Sequence, residues 1–178
     1  MAFLAQFGDF DASSLGLLQR VLLINDGTLT DALEAAFLEP ISLHKIAIQV
    51  VASQQALPEL DVLPGDSLME RKILLCGNSS GRAYVYAESV LVLDRLPPRF
   101  REELLQSDTP LGRLWSEHKV ETWKELMTVS RHPMGDLAAH FQTAPESDCL
   151  VRRYRVISGG QPIMAITEHF PSTYGTVS

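Results

Sequence analysis

Alternating apolar and polar positions divide much of the chain into β-strands. A strand with one buried face shows a period of two, because successive side chains point to opposite faces. In the strand at 43–53, Ile46, Ile48 and Val50 share one face, and Lys45 and Gln49 lie on the other. The same pattern predicts strands at 69–76, 83–93, 150–157 and 163–170. The segment 121–129 is ambiguous between helix and strand, and we interpret it as a sixth strand.

Helical spacing of leucines and other apolar residues predicts helices between the strands. The predicted helices cover 14–24, 31–38 and 99–106, with a short one near 137–141. We expect Thr30 or Asp31 to cap the helix at 31–38. The turn at 109–112 leads into a short helical or irregular segment.

The connections between strands predict an antiparallel sheet. Short turns at 77–81 and 158–162 join neighbouring strands as hairpins, and only antiparallel strands can be joined so closely. The helices lie mostly between groups of strands and do not alternate strictly with them, which is typical of the α+β class. We therefore predict one α+β domain, 1–178, with a single antiparallel sheet and flanking helices.

One strand carries a carboxylate on its apolar face. In the segment at 162–170, Glu168 shares a face with Met164, Ile166 and Phe170. A carboxylate among large apolar groups is costly unless a cation or a hydrogen-bond donor meets it. Glu168 is therefore a candidate functional residue.

A second strand carries the opposite charge in a similar place. Arg71 shares a face with Met69, Ile73 and Leu75, while its two sequence neighbours can face water. Two interpretations follow. Arg71 and Glu168 either form a buried salt bridge with each other, or they mark two ends of a polar pocket for a small anion.

Composition narrows the classes of partner. The chain has 178 residues, of which 46% are hydrophobic and 21% charged, so it can bury a sizeable core. Its formal net charge of −7 argues against nucleic acid and against an anionic membrane surface. A small anionic substrate stays compatible with this charge, because a few arginines can reverse the sign locally.

Cysteine content and hydropathy indicate the cellular compartment in which we expect the protein. Cys76 and Cys149 are too few for a disulfide framework, which indicates a reducing environment. No apolar run approaches the roughly 20 residues that span a bilayer. Residues 1–9 lack the basic segment of a secretory signal. We therefore expect a soluble cytoplasmic protein.

Familiar metal and nucleotide motifs are missing from the sequence. The five histidines form no HxxxH pattern, so we predict no metal site. There is also no P-loop or GxGxxG. A basic cluster remains, with Arg152 on one face of its strand and Arg153 and Arg155 on the other. It is either a solvated sheet edge or a group in which one arginine helps to attract an anion.

Four stretches occur in the order and spacing of a known family. They are 19–23 with 26–30 (QRVLL and DGTLT), 71–76 (RKILLC), 109–113 (TPLGR), and 152–155 followed by 160–163 and 167–171 (RRYR, GQPI and TEHFP). On these motifs the chain resembles the chorismate lyases, also called chorismate pyruvate-lyases or 4-hydroxybenzoate synthases.

The resemblance implies an internal pocket under helical flaps. It implies conversion of chorismate to 4-hydroxybenzoate and pyruvate, without metal or organic cofactor, for quinone or another aromatic pathway. By position, Arg71 matches the family's carboxylate-binding arginine, and Glu168 matches its acidic residue at the other end of the ligand. Leu111 falls where the family uses backbone groups against the ligand. Leu29 falls in the flap that closes over it.

Chorismate suits these residue types. An arginine fork can hold its ring carboxylate through two hydrogen bonds. Loss of the enolpyruvyl group with a ring proton creates an aromatic ring, so positioning the substrate away from water is the main task. Glu168 could donate a proton to the departing ether oxygen, or could only position the ring hydroxyl. Two alternatives stay open, namely a related enzyme with another substrate and a non-catalytic small-molecule-binding domain of the same fold.

Overall fold

A six-stranded sheet is the framework of the computed structural model, which describes residues 11–107, 109–172 and 174. The strands are β1 (Ile41–Ala52), β2 (Ser67–Gly77), β3 (Ala83–Val92), β4 (Trp123–Pro133), β5 (Asp148–Ser158) and β6 (Gln161–Pro171). The helices are α1 (Leu17–Ile24), α2 (Leu29–Phe37), α3 (Pro98–Gln106), α4 (Leu111–Glu117) and α5 (Ala138–Phe141).

Each strand pairs with its neighbours in the antiparallel sense. The order in the sheet is β1-β2-β3-β6-β5-β4, so the last two hairpin strands insert between β3 and β4. All five strand pairs are antiparallel, and helices flank the sheet. The predicted α+β class with one antiparallel sheet is confirmed.

Two apolar clusters cover the ends of one sheet face, and β2 shows how they are arranged. Ile73 and Leu75 belong to the cluster under α1 and α2, whereas Met69 belongs to the cluster under α3 and α4. Because alternate residues of a strand share a face, Arg71 lies on that same face between the two clusters. The helices therefore leave a gap over the middle of the sheet.

The first two helices begin at other residues than the sequence predicts. The cap expected at Thr30 or Asp31 is wrong, because α2 begins at Leu29 directly after Thr28. Both Leu29 and Thr30 are buried, and this packing extends the helix beyond the point that local capping preference would choose. Helix α1 begins at Leu17, later than predicted.

Strand β1 is an edge strand, and a bulge changes its predicted alternation. The register shifts between Lys45 and Ala47. As a result Lys45 pairs with Ile73 while Ile48 pairs with Arg71, which places Lys45 and Ile48 on one face. The predicted placement of Lys45 opposite Ile48 is therefore wrong. Alternation of apolar and polar residues cannot by itself predict a bulge, because a bulge adds one residue to the strand and so shifts the alternation.

The N-terminal residues 1–9, for which the sequence predicts no secretory signal, lie outside the described residues. Among the helices of the described ranges, none has both the length and the apolar character needed to cross a bilayer.

Candidate active site

A band of buried polar side chains crosses the sheet between the two apolar clusters. Arg71 on β2 lies opposite Ser89 on β3, and Glu168 on β6 lies opposite Arg152 on β5. Glu168 also pairs with Ala87, the next residue on the same face of β3 from Ser89. The band is therefore continuous over four neighbouring strands.

A cavity of about 620 Å³ lies against this band. Cavities of this size hold small organic ligands. All six strands contribute to one side of it, through Leu43, Arg71, Ile73, Leu75, Ala87, Ser89, Lys124, Tyr154, Val156, Ile166 and Glu168. The other side is formed by the start of α2, by α4 and by the segments beside them, which include Asp26–Thr30, Pro110–Gly112, Trp115 and 119–122.

Arg71 is a buried cation without a protein partner for its Nε atom. The residue is 3% exposed, and this atom has no hydrogen-bond acceptor in the described part of the chain. Burial lowers the pKa of Arg71 to about 10, so the side chain is still charged at neutral pH. A buried charge is expensive unless it is paired, and an anionic ligand in the cavity would pair it.

Arg71 and Glu168 do not form the salt bridge that was one of the two interpretations of the sequence. No ion pair links them among the described residues, and both side chains line the same cavity. Strand β3 separates β2 from β6, and the two residues are opposite Ser89 and Ala87 of β3, two positions apart. They therefore stand about 10 Å apart across the sheet and about 7 Å along it, or about 12 Å in all. That separation leaves room for one six-membered ring between their side chains.

Glu168 is held by two donors from β5. Its Oε2 accepts a hydrogen bond from Arg152 Nε at 2.5 Å, and its Oε1 accepts one from the Tyr154 hydroxyl at 2.8 Å. Its surroundings are therefore less apolar than the pattern of β6 suggests. The carboxylate is fixed in place as a hydrogen-bond acceptor at the cavity wall.

Arg152 connects Glu168 to the end of α1. It is 2% exposed, and its Nη1 donates to the carbonyls of Leu22, Leu23 and Asn25, the last two at 3.2 Å. These carbonyls lie at the C-terminal end of α1, where helical hydrogen bonds run out and a cation is favourable. The structure thus links the carboxylate in the cavity with the helix that directly precedes the cavity-lining loop at 26–28.

The interpretation of the basic cluster as a solvated sheet edge is wrong. Strand β5 lies between β6 and β4, and Arg152 is buried. Arg153 and Arg155 do share the opposite face, as predicted, where they pair with Glu59 and Glu125. Alternation distinguished the two faces correctly, but it carried no information on which strands would flank β5.

Two helix starts meet above the cavity. Leu29 begins α2 and Leu111 begins α4, and both residues line the cavity. A Cβ atom on Gly112 would stand 2.6 Å from the Thr28 Cγ2 atom, so only glycine permits this close approach. We call the loop 26–30 together with 110–116 the lid.

An ion pair joins α4 to α2, the two helices whose first residues belong to the lid. Arg113 Nη2 on α4 donates to Glu34 Oε1 on α2 at 2.8 Å, and the same oxygen accepts a hydrogen bond from the backbone of Ile41. Leu29 and Leu111 are therefore fixed beside Arg71 and Glu168. Their direct contact with a ligand stays a prediction, as do the ligand contacts of the two charged residues.

Lys124 is a cavity residue that the sequence analysis missed. Its Nζ donates to the Gly27 carbonyl at 2.7 Å and to the Asn25 carbonyl at 3.4 Å, and lies 5.3 Å from the centre of the Tyr154 ring. Burial lowers the pKa of Lys124, although Glu168 attracts its charge. Only the weak alternation of 121–129 pointed to an inward position, and that segment was ambiguous between helix and strand.

The described residues contain no cluster of three or more histidine, cysteine, aspartate or glutamate side chains arranged to hold a metal ion. The cavity wall carries as many carboxylates as cations, but two of the carboxylates, Asp26 and Glu121, are exposed, and the third, Glu168, is paired with Arg152. The buried part of the wall therefore favours an anionic organic ligand.

Structural similarity identifies the fold. The effector domain of PhnF from Mycobacterium smegmatis superposes with a TM-score of 0.66 at 13% identity, over 83% of this chain and 90% of that chain. The C-terminal domain of a histidine utilization repressor from Pseudomonas syringae gives a TM-score of 0.57 at 17% identity, over 78% and 96% of the two chains. These similarities concern the fold alone.

Sequence similarity goes further. A chorismate pyruvate-lyase of Mycobacterium tuberculosis is 35% identical over 155 residues, which cover 85% of this chain and 78% of that protein. A protein of the same name from Mycobacterium leprae is also 35% identical, over 85% and 72% of the two chains. A family model described as chorismate pyruvate-lyase Rv2949c-like matches residues 23–177. The chain therefore belongs to the Rv2949c-like chorismate pyruvate-lyase family.

Proposed function

We propose that this protein is a lyase that converts chorismate to 4-hydroxybenzoate and pyruvate without a metal or organic cofactor. The observation that carries the proposal is the buried guanidinium of Arg71, which lines the same cavity of about 620 Å³ as Glu168. The name of the relatives, chorismate pyruvate-lyase, supports the release of pyruvate from chorismate.

Arg71 binds the ring carboxylate of chorismate in this proposal. Its planar fork matches the two oxygens of a carboxylate, and its burial keeps water from competing for them. The ring then extends along the sheet over Ala87 and Ser89, with Ile73 and Ile166 beside it. The opposite end of the ring, with its hydroxyl and ether oxygens, reaches Glu168.

The reaction breaks the bond between the ring and the ether oxygen. The neighbouring ring carbon, which bears the hydroxyl, loses its proton, and the electron pair of that C–H bond completes the aromatic ring. The enolpyruvyl group leaves with the ether oxygen, takes up the proton and becomes pyruvate. Aromatisation makes the step favourable, so the protein has mainly to hold the reactive conformation.

In this proposal Glu168 accepts a hydrogen bond from the ring hydroxyl. Both of its oxygens already accept hydrogen bonds from Arg152 and Tyr154, which fixes their direction. This arrangement favours the positioning role of Glu168 over donation of a proton to the ether oxygen. The lid residues Leu29 and Leu111 exclude water from the leaving group, so that it departs by elimination.

The purified protein incubated with chorismate tests the proposal. We expect release of pyruvate and 4-hydroxybenzoate in equal amounts, with no loss of rate in the presence of a chelator. A buffer control measures the spontaneous decay of chorismate. Pyruvate release no faster than this control would contradict the proposal.

A second candidate is a domain that binds a small anion without turning it over. The similarity of the fold to effector domains of regulators favours it. Binding of chorismate or 4-hydroxybenzoate without pyruvate release would support this candidate. Absence of binding of both would instead favour an enzyme with another substrate.

A further inference from the structure

Lys124 gives the cavity a second cation, at the same end as Glu168. Its ring contact, Tyr154, donates a hydrogen bond to Glu168, so the three side chains are neighbours. Strand β4 carries Lys124 opposite Val156 of β5, another residue of the cavity wall. Arg71 is at the other end of the polar band, two strands away from Glu168.

The ammonium group has bonding capacity left for a ligand. A lysine carries three N–H donors, and Lys124 directs two of them to the carbonyls of Asn25 and Gly27. The other lysine of the cavity wall, Lys119, is exposed, so water weakens its attraction for an anion. Lys124 is only partly exposed, and its hydrogen bond to the Gly27 carbonyl fixes it to the loop 26–30 of the lid.

Among the described residues no salt bridge pairs Arg71 or Lys124, and the two carboxylates of the cavity wall other than Glu168, those of Asp26 and Glu121, are exposed. Arg152 pairs with Glu168, which leaves Arg71 and Lys124 as the partly or fully buried cations of the wall. A ligand with one carboxylate can pair with only one of them. Chorismate has two, one on the ring and one on the enolpyruvyl group, and the second lies beside the ether oxygen near Glu168.

We propose that Lys124 binds the carboxylate of the enolpyruvyl group and thereby distinguishes the substrate from 4-hydroxybenzoate, which lacks that group. The inference rests on the proposed function, since it assigns the second charge of the same substrate. Lys124 is then a specificity residue. It strengthens binding of the dianion, and its contact with the ligand is lost when pyruvate leaves.

Two ligands and two variants test this assignment. For Lys124→Gln we expect the affinity for chorismate to fall at least tenfold, because a charged hydrogen bond is lost, whereas the affinity for 4-hydroxybenzoate stays within about twofold. Lys124→Arg should keep the chorismate affinity within about threefold. Titration calorimetry gives both affinities, and pyruvate release gives KM. A matched control is Lys72→Gln, which removes the same charge from an exposed lysine that pairs with Glu88.

The outcomes separate the inference from the function on which it rests. Equal weakening of both ligands by Lys124→Gln would show that the lysine acts only through the lid loop, and unchanged chorismate affinity would show that it does not touch the substrate. Either result overturns the inference. If the unaltered protein binds chorismate but releases no pyruvate, the proposed function fails, while the affinity ratio still tests Lys124.

Discussion

Arg71 provides a test in which stability and binding should change in opposite directions. In the free protein its charge is buried without a partner for Nε, and burial lowers its pKa to about 10. That displacement from the ordinary value corresponds to about 3 kcal/mol of unfavourable burial, of which relaxation and water entry recover a part. Replacing Arg71 by an apolar side chain of similar length removes this cost.

We therefore expect Arg71→Met to stabilise the ligand-free protein by about 1 to 3 kcal/mol, which would raise its Tm by at least about 2 °C. This gain in the free energy of unfolding should not vary between pH 5 and 8. Arg71 is cationic in the folded and unfolded chain at every pH below about 10, so its cost is constant there and is relieved only above that value.

The same substitution should weaken binding of 4-hydroxybenzoate more than tenfold. A hydrogen-bonded charge pair contributes about 2 kcal/mol or more, and the apolar side chain leaves the ligand carboxylate without a partner. Thermal melting without ligand and titration calorimetry with 4-hydroxybenzoate measure the two effects on one preparation. Lys72→Met is the matched control, because it removes a neighbouring exposed charge.

A structural role for Arg71 would give the reverse pattern. If Arg71 stabilises the fold through contacts with the protein, Arg71→Met should lower the Tm and change affinity only as far as the fold loosens. A lower Tm together with unchanged affinity for 4-hydroxybenzoate would refute the assignment of Arg71 as the carboxylate-binding residue.

Three further substitutions, the last also combined with a second one, test the rest of the site. Glu168→Gln removes the anion that Arg152 pairs with, so the Tm should fall and the rate of pyruvate release should drop about a hundredfold; an unchanged rate would exclude Glu168 from the reaction. Arg152→Met leaves the buried Glu168 without its cation, so the Tm should fall by about 6 °C or more, and a stable variant would show that the pair is not needed for the fold. Gly112→Ala should push the lid apart against Thr28 and lower kcat/KM about tenfold. Adding Thr28→Ser removes the clashing methyl group and should restore much of the loss; no recovery would mean that the contact is not the cause.

The local pattern of apolar and polar residues was sufficient to predict the strands and the inward direction of two charged side chains. Alternation placed Arg71 and Glu168 among apolar neighbours, and both are buried on the cavity face. The hairpin turns fixed the antiparallel sense of the sheet. These features follow from the two-residue period of a strand and from turn chemistry, which act over a few neighbouring residues.

The partners of these charges were decided by the tertiary structure. Strand register places Arg152 opposite Glu168, and β4 brings Lys124 to the cavity from a segment of ambiguous pattern. The contact between Gly112 and Thr28 joins two helix starts that are far apart in the chain. The amino-acid sequence by itself determined which side chains face inward. Register, the bulge in β1 and the packing of helices on the sheet determined what those side chains meet, because these depend on contacts between segments that are distant along the chain.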